Sequence, residues 1–255
     1  MPDNRVLYEI LQQVRDGALD PAAAEQLIGS LPVGTIANLD IGRTDRCGIP
    51  EVILAEGKDI DSLVKIMHSY ACATGRAIAS RILPEQVQAI LATLPQGIIA
   101  DYREIGHILI LSDGTMPEPS GGTVAIVTAG TSDIRVAEEA RIIAEEMGAA
   151  VLTAYDVGVA GIHRLFPALE RLKTADIYVV CAGREGTLPS VVAGLVNKPV
   201  IGVPVSTGYG YMGQGEAALA AMLQSCAAVT VVNIDAGFTA GIVAARTVAL
   251  IGRNS

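Results

Sequence analysis

The chain has 255 residues, of which 51% are hydrophobic and 18% charged, and this is enough apolar material for one large domain or two modest ones. Its formal net charge of -9 argues against a nucleic-acid-binding surface, because neutralising phosphates requires a clustered basic face. The composition favours a soluble enzyme or a protein that binds a small ligand.

The N-terminal sequence MPDNRVLYEI carries charges where a signal peptide would have an apolar core, and no uncharged run approaches the length of a membrane span. We therefore expect a cytoplasmic protein without a membrane partner. The four cysteines are scattered and form no Cys-x-x-Cys pair, so neither a disulfide framework nor a zinc knuckle is indicated. We expect free thiols.

The pattern of the first half predicts a small α+β domain, residues 1–116. Helical periodicity and short apolar runs place helices at 4–16, from 20, from 59 and at 84–94, and extended segments at 77–82, near 98 and at 108–111. His68 and His107 have no ligand partners at a suitable spacing, and we interpret both as structural. The prolines and glycines of MPEPSGG predict a linker over residues 117–122.

One stretch of this half, residues 38–58, is dense in mixed charge: NLDIGRTDRCGIPEVILAEGK. We predict a loop, because a core segment would not carry so many charges. Two interpretations stay open. Either the charges pair with one another at the surface, where such pairs contribute little to stability, or the loop binds substrate. The candidate substrate-binding residues are Asp40 together with the cations expected to contact phosphates, namely Arg43, Arg46 and Lys58.

The second half, residues 123–255, alternates strand and helix patterns, with strands predicted at 123–128, 150–155, 177–182, 200–205 and 229–234. This alternation predicts an α/β fold with a doubly wound, flavodoxin-like parallel sheet of five strands, covered by helices on both faces. In the first helix after the first strand we expect four carboxylates to face solvent: Glu138, Glu139, Glu145 and Glu146.

The first strand of this half is followed by AGTSD, which places Thr131, Ser132 and Asp133 where a helix N-cap belongs. Free backbone N–H groups and the positive end of the helix dipole would form a seat for a phosphate or carboxylate. The alternative is that Ser132 or Asp133 only caps its helix. Ligands of such sheets bind beyond the carboxyl ends of the strands, so the candidate loops are 130–133, 155–164, 183–189, 206–216 and 235–241.

These loops, in this order, resemble the phosphoribosylaminoimidazole carboxylase (PurE) superfamily through AGTSD, AGREGTLPS and VIGVPVS. Motifs in both halves are more closely similar to the nickel-pincer cofactor biosynthesis family LarB: LDIGRTDRCGIPEVI, AYDVGVAGIHRL, STGYGYMGQGEAALAAMLQSCA and VNIDAGFTAGIVAAR. One departure is ATGR at residues 73–76, where the family pattern has Thr and Arg adjacent. Because Gly75 separates them, we assign no role to Thr74 or Arg76.

The resemblance to LarB implies a carboxylase and hydrolase that acts on nicotinic acid adenine dinucleotide. The reaction adds a carboxylate, from CO₂ or bicarbonate, to C5 of the pyridinium ring. It also cleaves the phosphoanhydride, giving pyridinium-3,5-biscarboxylic acid mononucleotide and AMP. The family implies neither biotin nor ATP, whereas Mg²⁺ is expected for the hydrolytic step. The PurE superfamily further implies a homo-oligomer, expected to be an octamer.

This chemistry favours a thiolate, because an electron-poor pyridinium ring attacks CO₂ only after a nucleophile has added to it. Cys226, in MLQSCAAV, lies at a helix-to-strand junction and is the position that the resemblance implies. Cys181 lies in a predicted core strand, and Cys47 is a weaker candidate. Because Cys226 precedes its strand, we expect it at the sheet edge opposite the strand carboxyl ends, in a site completed across a subunit interface.

Glu185, in AGREGTLP, is the candidate base for the C5 proton; the alternative is that it favours the start of the following helix. Asp156 and Arg164 lie in the loop where the smaller carboxylases have their catalytic histidine, and we take them as substrate-binding candidates. His163 in the same loop receives no proton-transfer role.

Tyr209 and Tyr211 lie in a glycine-rich loop that could close over the substrate ring or be mobile. Two other functions stay open at this point. One is an aminoimidazole ribonucleotide carboxylase or mutase, which needs no cysteine. The other is a nucleotide-binding regulatory module that uses the same anion seats without chemistry.

Overall fold

A computed structural model of the protein describes residues 5–252, apart from the side chains at positions 5–7, 9, 25–28, 45 and 252. The chain divides into two compact units, Met1–Met116 and Pro117–Ser255. Each unit has a hydrophobic core of its own. Among the described residues, no helix combines the length and the apolar character needed to cross a membrane.

The N-terminal unit is an α+β domain built on a mixed four-stranded sheet. Its elements are α1 (Arg5–Arg15), α2 (Pro21–Ile28), β1 (Ser30–Val33), β2 (Ala37–Asp40), α3 (Arg43–Cys47), β3 (Val52–Leu54), α4 (Ile60–Thr74), β4 (Arg76–Ser80), α5 (Pro84–Ala92), β5 (Ile99–Arg103) and β6 (Ile108–Ser112). The sheet order is β3-β4-β6-β5, with β3 parallel to β4 and the other pairs antiparallel. Strands β1 and β2 form a separate antiparallel hairpin.

Helix α4 fills the core of this unit because its apolar residues recur on one face. Leu63, Ile66 and Met67 are buried there, and they pack with residues of β4 and β6. The helix begins where the Asp59 carboxylate accepts a hydrogen bond from the Ser62 N–H at 2.9 Å. It ends at Gly75, whose φ of +77° lies in the left-handed region. The glycine that interrupts the expected Thr-Arg pair therefore terminates α4.

The prediction of a loop over residues 38–58 is wrong, because this stretch contains the end of β2, the short helix α3 and strand β3. Two ion pairs connect these elements. Arg46 pairs with Asp40 of β2, and Arg43 lies 3.1 Å from Glu51, next to β3. The mixed charges that made the stretch resemble a loop instead hold a small helix against two strands.

The C-terminal unit is a doubly wound α/β domain. Its elements are β7 (Thr123–Thr128), a 3-10 turn (Thr131–Asp133), α6 (Ile134–Glu146), β8 (Ala150–Ala154), a second 3-10 segment (Val159–Arg164), α7 (Leu165–Arg171), β9 (Ile177–Ala182), α8 (Leu188–Leu195), β10 (Val200–Pro204), α9 (Glu216–Leu223), β11 (Val229–Val231) and α10 (Gly237–Gly252). All five strands are parallel, in the order β11-β10-β9-β7-β8. The predicted fold class is therefore confirmed.

Two apolar clusters cover the two faces of this sheet. Residues of α6 and α10 pack on one face, with side chains such as Ile126 and Val179 from the strands. Residues of α7, α8 and α9 pack on the other face. Cys181 is fully buried in the first cluster, and burial raises the pKa of its thiol well above the ordinary value. This cysteine is a core residue.

The expectation that Glu138 and Glu139 face solvent is wrong. Both are buried: Glu139 lies against the start of α10, and Glu138 lies against Arg141 and Tyr155. A buried carboxylate needs partners. Glu138 accepts hydrogen bonds from the Arg141 guanidinium, at 2.8 and 2.9 Å, and from the Tyr155 hydroxyl. Glu139 accepts one from the backbone N–H of Phe238 at the start of α10, at 3.2 Å.

The close packing of α10 on α6 predicts that Gly241→Ala destabilises the C-terminal unit by about 1–3 kcal/mol. A Cβ at position 241 would lie 2.6 Å from the Ala140 carbonyl oxygen, so the helices would have to separate. Urea denaturation measures the free energy of unfolding. Gly194→Ala in α8 is the matched control, because nothing lies within 4 Å of a Cβ there and alanine has the higher helix propensity. Equal stability of the two variants would contradict the close packing.

Candidate functional site

The strand order places a topological switch point between β7 and β9. The chain leaves β7 toward β8 on one side and returns to β9 on the other. The loops that follow these two strands, residues 129–133 and 183–187, therefore diverge and leave a crevice at the carboxyl ends of the strands. Open parallel sheets bind their ligands in such a crevice.

Asp133 lies at the centre of this crevice and connects three loops. Its side chain is buried, with one oxygen accepting the Gly130 N–H at 2.8 Å and the other accepting the Gly183 N–H at 3.1 Å. The hydroxyl of Thr207, in the loop after β10, lies 3.5 Å from the second oxygen. Burial raises the pKa of Asp133, while the hydrogen bonds from Gly130 and Gly183 act in the opposite direction.

A carboxylate of the chain itself thus occupies part of the predicted anion-binding site. The N–H groups of Gly130 and Gly183 face a carboxylate, as expected for such a seat, but the carboxylate belongs to Asp133. Asp133 does not cap α6 with its side chain. Thr131 and Ser132 are exposed at the mouth of the crevice. These two residues are the members of the predicted trio that are open to solvent.

The loop after β11 is joined to the loop after β10 by a second carboxylate. Asp235 accepts hydrogen bonds from the backbone N–H of Ser206 at 2.9 Å and from its hydroxyl at 2.5 Å. Its own N–H donates to the Pro204 carbonyl at 2.9 Å. The sequence reasoning missed Asp235 and Thr207, although both lie in loops that it had marked as candidates.

Unusual backbone conformations also mark these loops. Asp156, Arg184, Met212, Gln214 and Asp235 all have φ between +50° and +57°, a region that residues other than glycine seldom adopt. Every one of them follows a strand of the parallel sheet at its carboxyl end. Such conformations concentrate at functional sites, where the surrounding structure holds them. This signal is independent of side-chain chemistry and marks the same edge of the sheet.

Asp156 and Arg164, both predicted to bind substrate, are brought together as an ion pair. The backbone N–H of Asp156 donates to the buried hydroxyl of Thr128 at the end of β7, at 3.0 Å. The loop after β8 is thereby attached to the loop after β7. His163 is exposed in the same segment.

Glu185 is exposed in the loop after β9, two residues beyond the Gly183 N–H that binds Asp133. Its negative charge contributes to the raised pKa of Asp133. Tyr209 and Tyr211 are 77% and 94% exposed in the glycine-rich loop after β10. The structure therefore places the predicted base and both tyrosines in loops attached to Asp133.

Cys226 lies elsewhere in this unit. It is exposed in the bend between α9 and β11, at the amino end of that strand. Because β11 runs parallel to its neighbours, Cys226 and the 130–133 loop lie at opposite ends of the sheet within one chain. The sequence position of Cys226 had led us to expect this separation.

The candidate residues of the N-terminal unit are already paired. Asp40 pairs with Arg46, whose guanidinium holds the pKa of that carboxyl below its usual value, and Arg43 pairs with Glu51. Lys58 lies in the turn between β3 and α4, where its carbonyl accepts a hydrogen bond from Gln86. Asp40, Arg43 and Arg46 thus form one cluster, and Lys58 belongs to a different turn.

Within residues 5–252, no group of three or more His, Cys, Asp or Glu side chains is arranged to hold a metal ion. Mg²⁺ is commonly bound by one or two carboxylates together with substrate phosphates. Any Mg²⁺ at these residues would therefore be held largely by the phosphates of a substrate.

Asp133→Asn is expected to change how stability depends on pH. Burial raises the pKa of Asp133 in the folded protein above its ordinary value of 3.8, so at pH values between the two the folded state holds a proton that the unfolded chain has released. This contribution to stability is present near pH 3.8 and is lost as pH rises through the raised pKa. The wild-type protein should therefore lose stability relative to Asp133→Asn as pH increases.

Urea denaturation of both proteins over this pH range tests the sign. Asp113→Asn is the opposite control, because hydrogen bonds from Thr115 lower the pKa of Asp113. Its contribution is present above the unfolded pKa and is lost as pH falls. If the wild-type protein instead gained stability relative to Asp133→Asn as pH increased, the assignment would be wrong.

Comparison with known proteins agrees with this two-part organisation. Residues 123–254 match the AIR carboxylase family, and residues 32–113 match the LarB/PurE-like N-terminal domain. An uncharacterized protein of Methanocaldococcus jannaschii is 45% identical over 213 residues, which cover 81% of this chain and 81% of that protein.

Other relatives match part of the chain. The N5-carboxyaminoimidazole ribonucleotide mutase of the same organism is 35% identical over 136 residues, covering 51% of this chain and 82% of the mutase. The mutase of Thermotoga maritima is 34% identical over 90 residues, covering 33% of this chain and 50% of that protein. With a LarB/PurE-like N-terminal domain followed by an AIR carboxylase domain, the chain belongs to the LarB family.

Proposed function

We propose that the protein is a pyridinium-3,5-biscarboxylic acid mononucleotide synthase. It carboxylates C5 of nicotinic acid adenine dinucleotide and hydrolyses the phosphoanhydride to release AMP. The observation that supports this most is the pairing, in one chain, of the LarB N-terminal domain with a carboxylase domain that exposes both a thiol, Cys226, and a carboxylate, Glu185. The mutases named above match 51% and 33% of this chain.

The reaction begins with addition of the Cys226 thiolate to a carbon of the pyridinium ring. The electron pair of the broken ring double bond makes a dihydropyridine whose C5 is nucleophilic. C5 then attacks CO₂ and forms the new carbon–carbon bond, leaving an iminium at the ring nitrogen. Loss of the C5 proton to Glu185 restores the enamine, and departure of the thiolate regenerates the aromatic cation. No external oxidant or reductant is needed.

Exposure distinguishes Cys226 from Cys181 as the nucleophile. The thiolate is the reactive form of cysteine. Burial raises the pKa of Cys181 well above its ordinary value, which keeps that thiol protonated. Cys226 is exposed and needs no rearrangement of the core to meet a ligand.

The remaining roles follow from the positions of the loops. Thr131 and Ser132 would contact ribose or phosphate at the mouth of the crevice, with Asp133 fixing the loop beneath them. Asp156 and Arg164 would bind substrate from the loop after β8. In the N-terminal unit, Arg43 and Arg46 would bind phosphate with the N–H groups that their carboxylate partners leave available, whereas Lys58 belongs to a separate turn.

The distance between Cys226 and the crevice supports an oligomeric site. Because the two lie at opposite ends of the sheet in one chain, we propose that Cys226 of a second subunit completes each site. The assembly would be a homo-oligomer, and the family resemblance favours an octamer. Neither biotin nor ATP takes part in the proposed reaction.

Cys226→Ser is expected to lower the rate of carboxylation by at least about a thousandfold, because the hydroxyl is a far weaker nucleophile than a thiolate. Incubation with nicotinic acid adenine dinucleotide and ¹³C-bicarbonate, followed by mass spectrometry of the small molecules, measures the product and AMP. Cys72→Ser, which removes another exposed thiol, on α4, is the control and should keep wild-type activity. Undiminished carboxylation by Cys226→Ser would contradict the adduct mechanism.

Glu185→Gln is expected to slow carboxylation by about 10²–10⁴-fold, the usual contribution of a general base. The amide keeps the size of the side chain but cannot accept the C5 proton. Proton removal takes place on bound substrate, after the carbon–carbon bond has formed. The rates of product formation at saturating substrate are therefore compared between Glu185→Gln and the wild-type protein. If the variant retains the full rate, Glu185 only supports the start of α8.

The relatives named as N5-carboxyaminoimidazole ribonucleotide mutases favour a second candidate, a mutase of that substrate. Incubation of the protein with N5-carboxyaminoimidazole ribonucleotide distinguishes the two. Conversion that survives in Cys226→Ser, without turnover of the dinucleotide, would support the mutase. If neither substrate is converted and no AMP appears, a nucleotide-binding module becomes the better description.

A further inference from the structure

The ring of Tyr209 has a cation on its face. The guanidinium carbon of Arg184 lies 4.2 Å from the centroid of the Tyr209 ring, well within the range of a cation–π contact. Tyr209 is nevertheless 77% exposed, so the ring is not part of a core. Large exposed aromatic rings beside a crevice commonly serve as contact surfaces for ligands.

The contact between Arg184 and Tyr209 lies on loops that border the crevice. Arg184 follows Gly183, whose N–H donates to Asp133, and Tyr209 lies two residues after Thr207, whose hydroxyl lies 3.5 Å from the same carboxylate. Gly208 allows the two loops to approach closely, because a Cβ at position 208 would lie 3.1 Å from the backbone nitrogen of Arg184. Arg184 itself has φ of +50°. The pair is therefore held by the structure that surrounds Asp133.

A guanidinium and a pyridinium ring share the properties that matter for this contact. Both are flat, both carry one delocalised positive charge, and both are weakly hydrated compared with an ammonium group. We propose that the Tyr209 ring is the platform on which the pyridinium ring of the substrate stacks, and that the Arg184 guanidinium occupies this platform until the substrate displaces it. This inference rests on the proposed function, because it takes the substrate to be a pyridinium.

The arrangement makes the site selective for a cationic ring. Any ring that stacks on the face of Tyr209 that Arg184 covers must first displace Arg184, and one cation–π contact is then lost. A pyridinium ring replaces that contact with an equivalent one, whereas a neutral ring does not. Arg184 thus acts as an internal competitor that neutral aromatic molecules displace less readily.

Two small probes of the same shape test this with the full-length protein. 1-Methylnicotinamide is a pyridinium without phosphate or carboxylate, and 3-methylbenzamide is its neutral isostere. Their dissociation constants are measured by NMR titration. The wild-type protein should prefer the cation by about two- to five-fold, and Tyr209→Leu should remove that preference.

The direction in which Arg184→Met changes the affinity for 1-methylnicotinamide tests the proposal. Methionine has a similar length and keeps a Cβ at the same backbone conformation, but it leaves the platform free. 1-Methylnicotinamide should therefore bind about two- to five-fold more tightly to Arg184→Met than to wild type. Arg171→Met, at an exposed arginine at the end of α7, is the control and should not change the affinity. Weaker or unchanged binding to Arg184→Met overturns the proposal.

A second measurement uses the absence of tryptophan from the chain. In Tyr209→Trp, the new indole is the only tryptophan, and a stacked pyridinium should quench its fluorescence along a saturable curve. Quenching without saturation, like that of free tryptophan, overturns the proposal. The titrations contain no bicarbonate, and the probes contain no phosphoanhydride, so binding is measured without the proposed reaction. If the probes bind as expected but the dinucleotide is not converted, the stacking proposal is supported and the proposed reaction is contradicted. If the dinucleotide is converted but the probes do not bind as expected, the proposed reaction is supported and the stacking proposal is contradicted.

Discussion

The buried carboxylate of Asp133 is the interaction on which the crevice depends. A charge this far from water is unfavourable unless hydrogen bonds replace its solvation. The N–H groups of Gly130 and Gly183 do so, and each comes from a loop that follows a different strand. Because the strands are parallel and rigid, one carboxylate fixes both loops at the switch point. The Thr207 hydroxyl extends this connection to a third loop.

The positions of the other candidate residues follow from that connection. Glu185 and Tyr209 each lie two residues from a group that contacts Asp133. Arg184 and Asp156 adopt positive φ values that an unsupported loop would seldom populate. The hydrogen bonds around Asp133 and Thr128 provide that support. Reactive side chains can therefore remain exposed while the backbone beneath them stays fixed.

The sequence allowed the sheet to be predicted, because short apolar runs such as 123–128 and 177–182, alternating with helical patterns, are typical of strands buried on both faces. Prediction from the sequence failed for residues whose contact partner is distant in the chain. The burial of Glu139 depends on α10, which begins about one hundred residues later. Asp235 was missed because its partner Ser206 lies on another loop, and α3 because five residues are too few for a periodic signal.

The direction of the strands also limits what one subunit can do. A strand of six residues, such as β7, spans about 20 Å. Glu185 follows the carboxyl end of β9 and Cys226 precedes the amino end of β11, so most of that length separates them within a chain. The proposed reaction needs both groups within contact distance of carbons of the same pyridinium ring. Side chains cannot bridge this gap, and the sheet between them is packed on both faces. In the proposed reaction, therefore, oligomerisation would be part of the chemistry, because it brings the thiol of one subunit to the carboxylate of another.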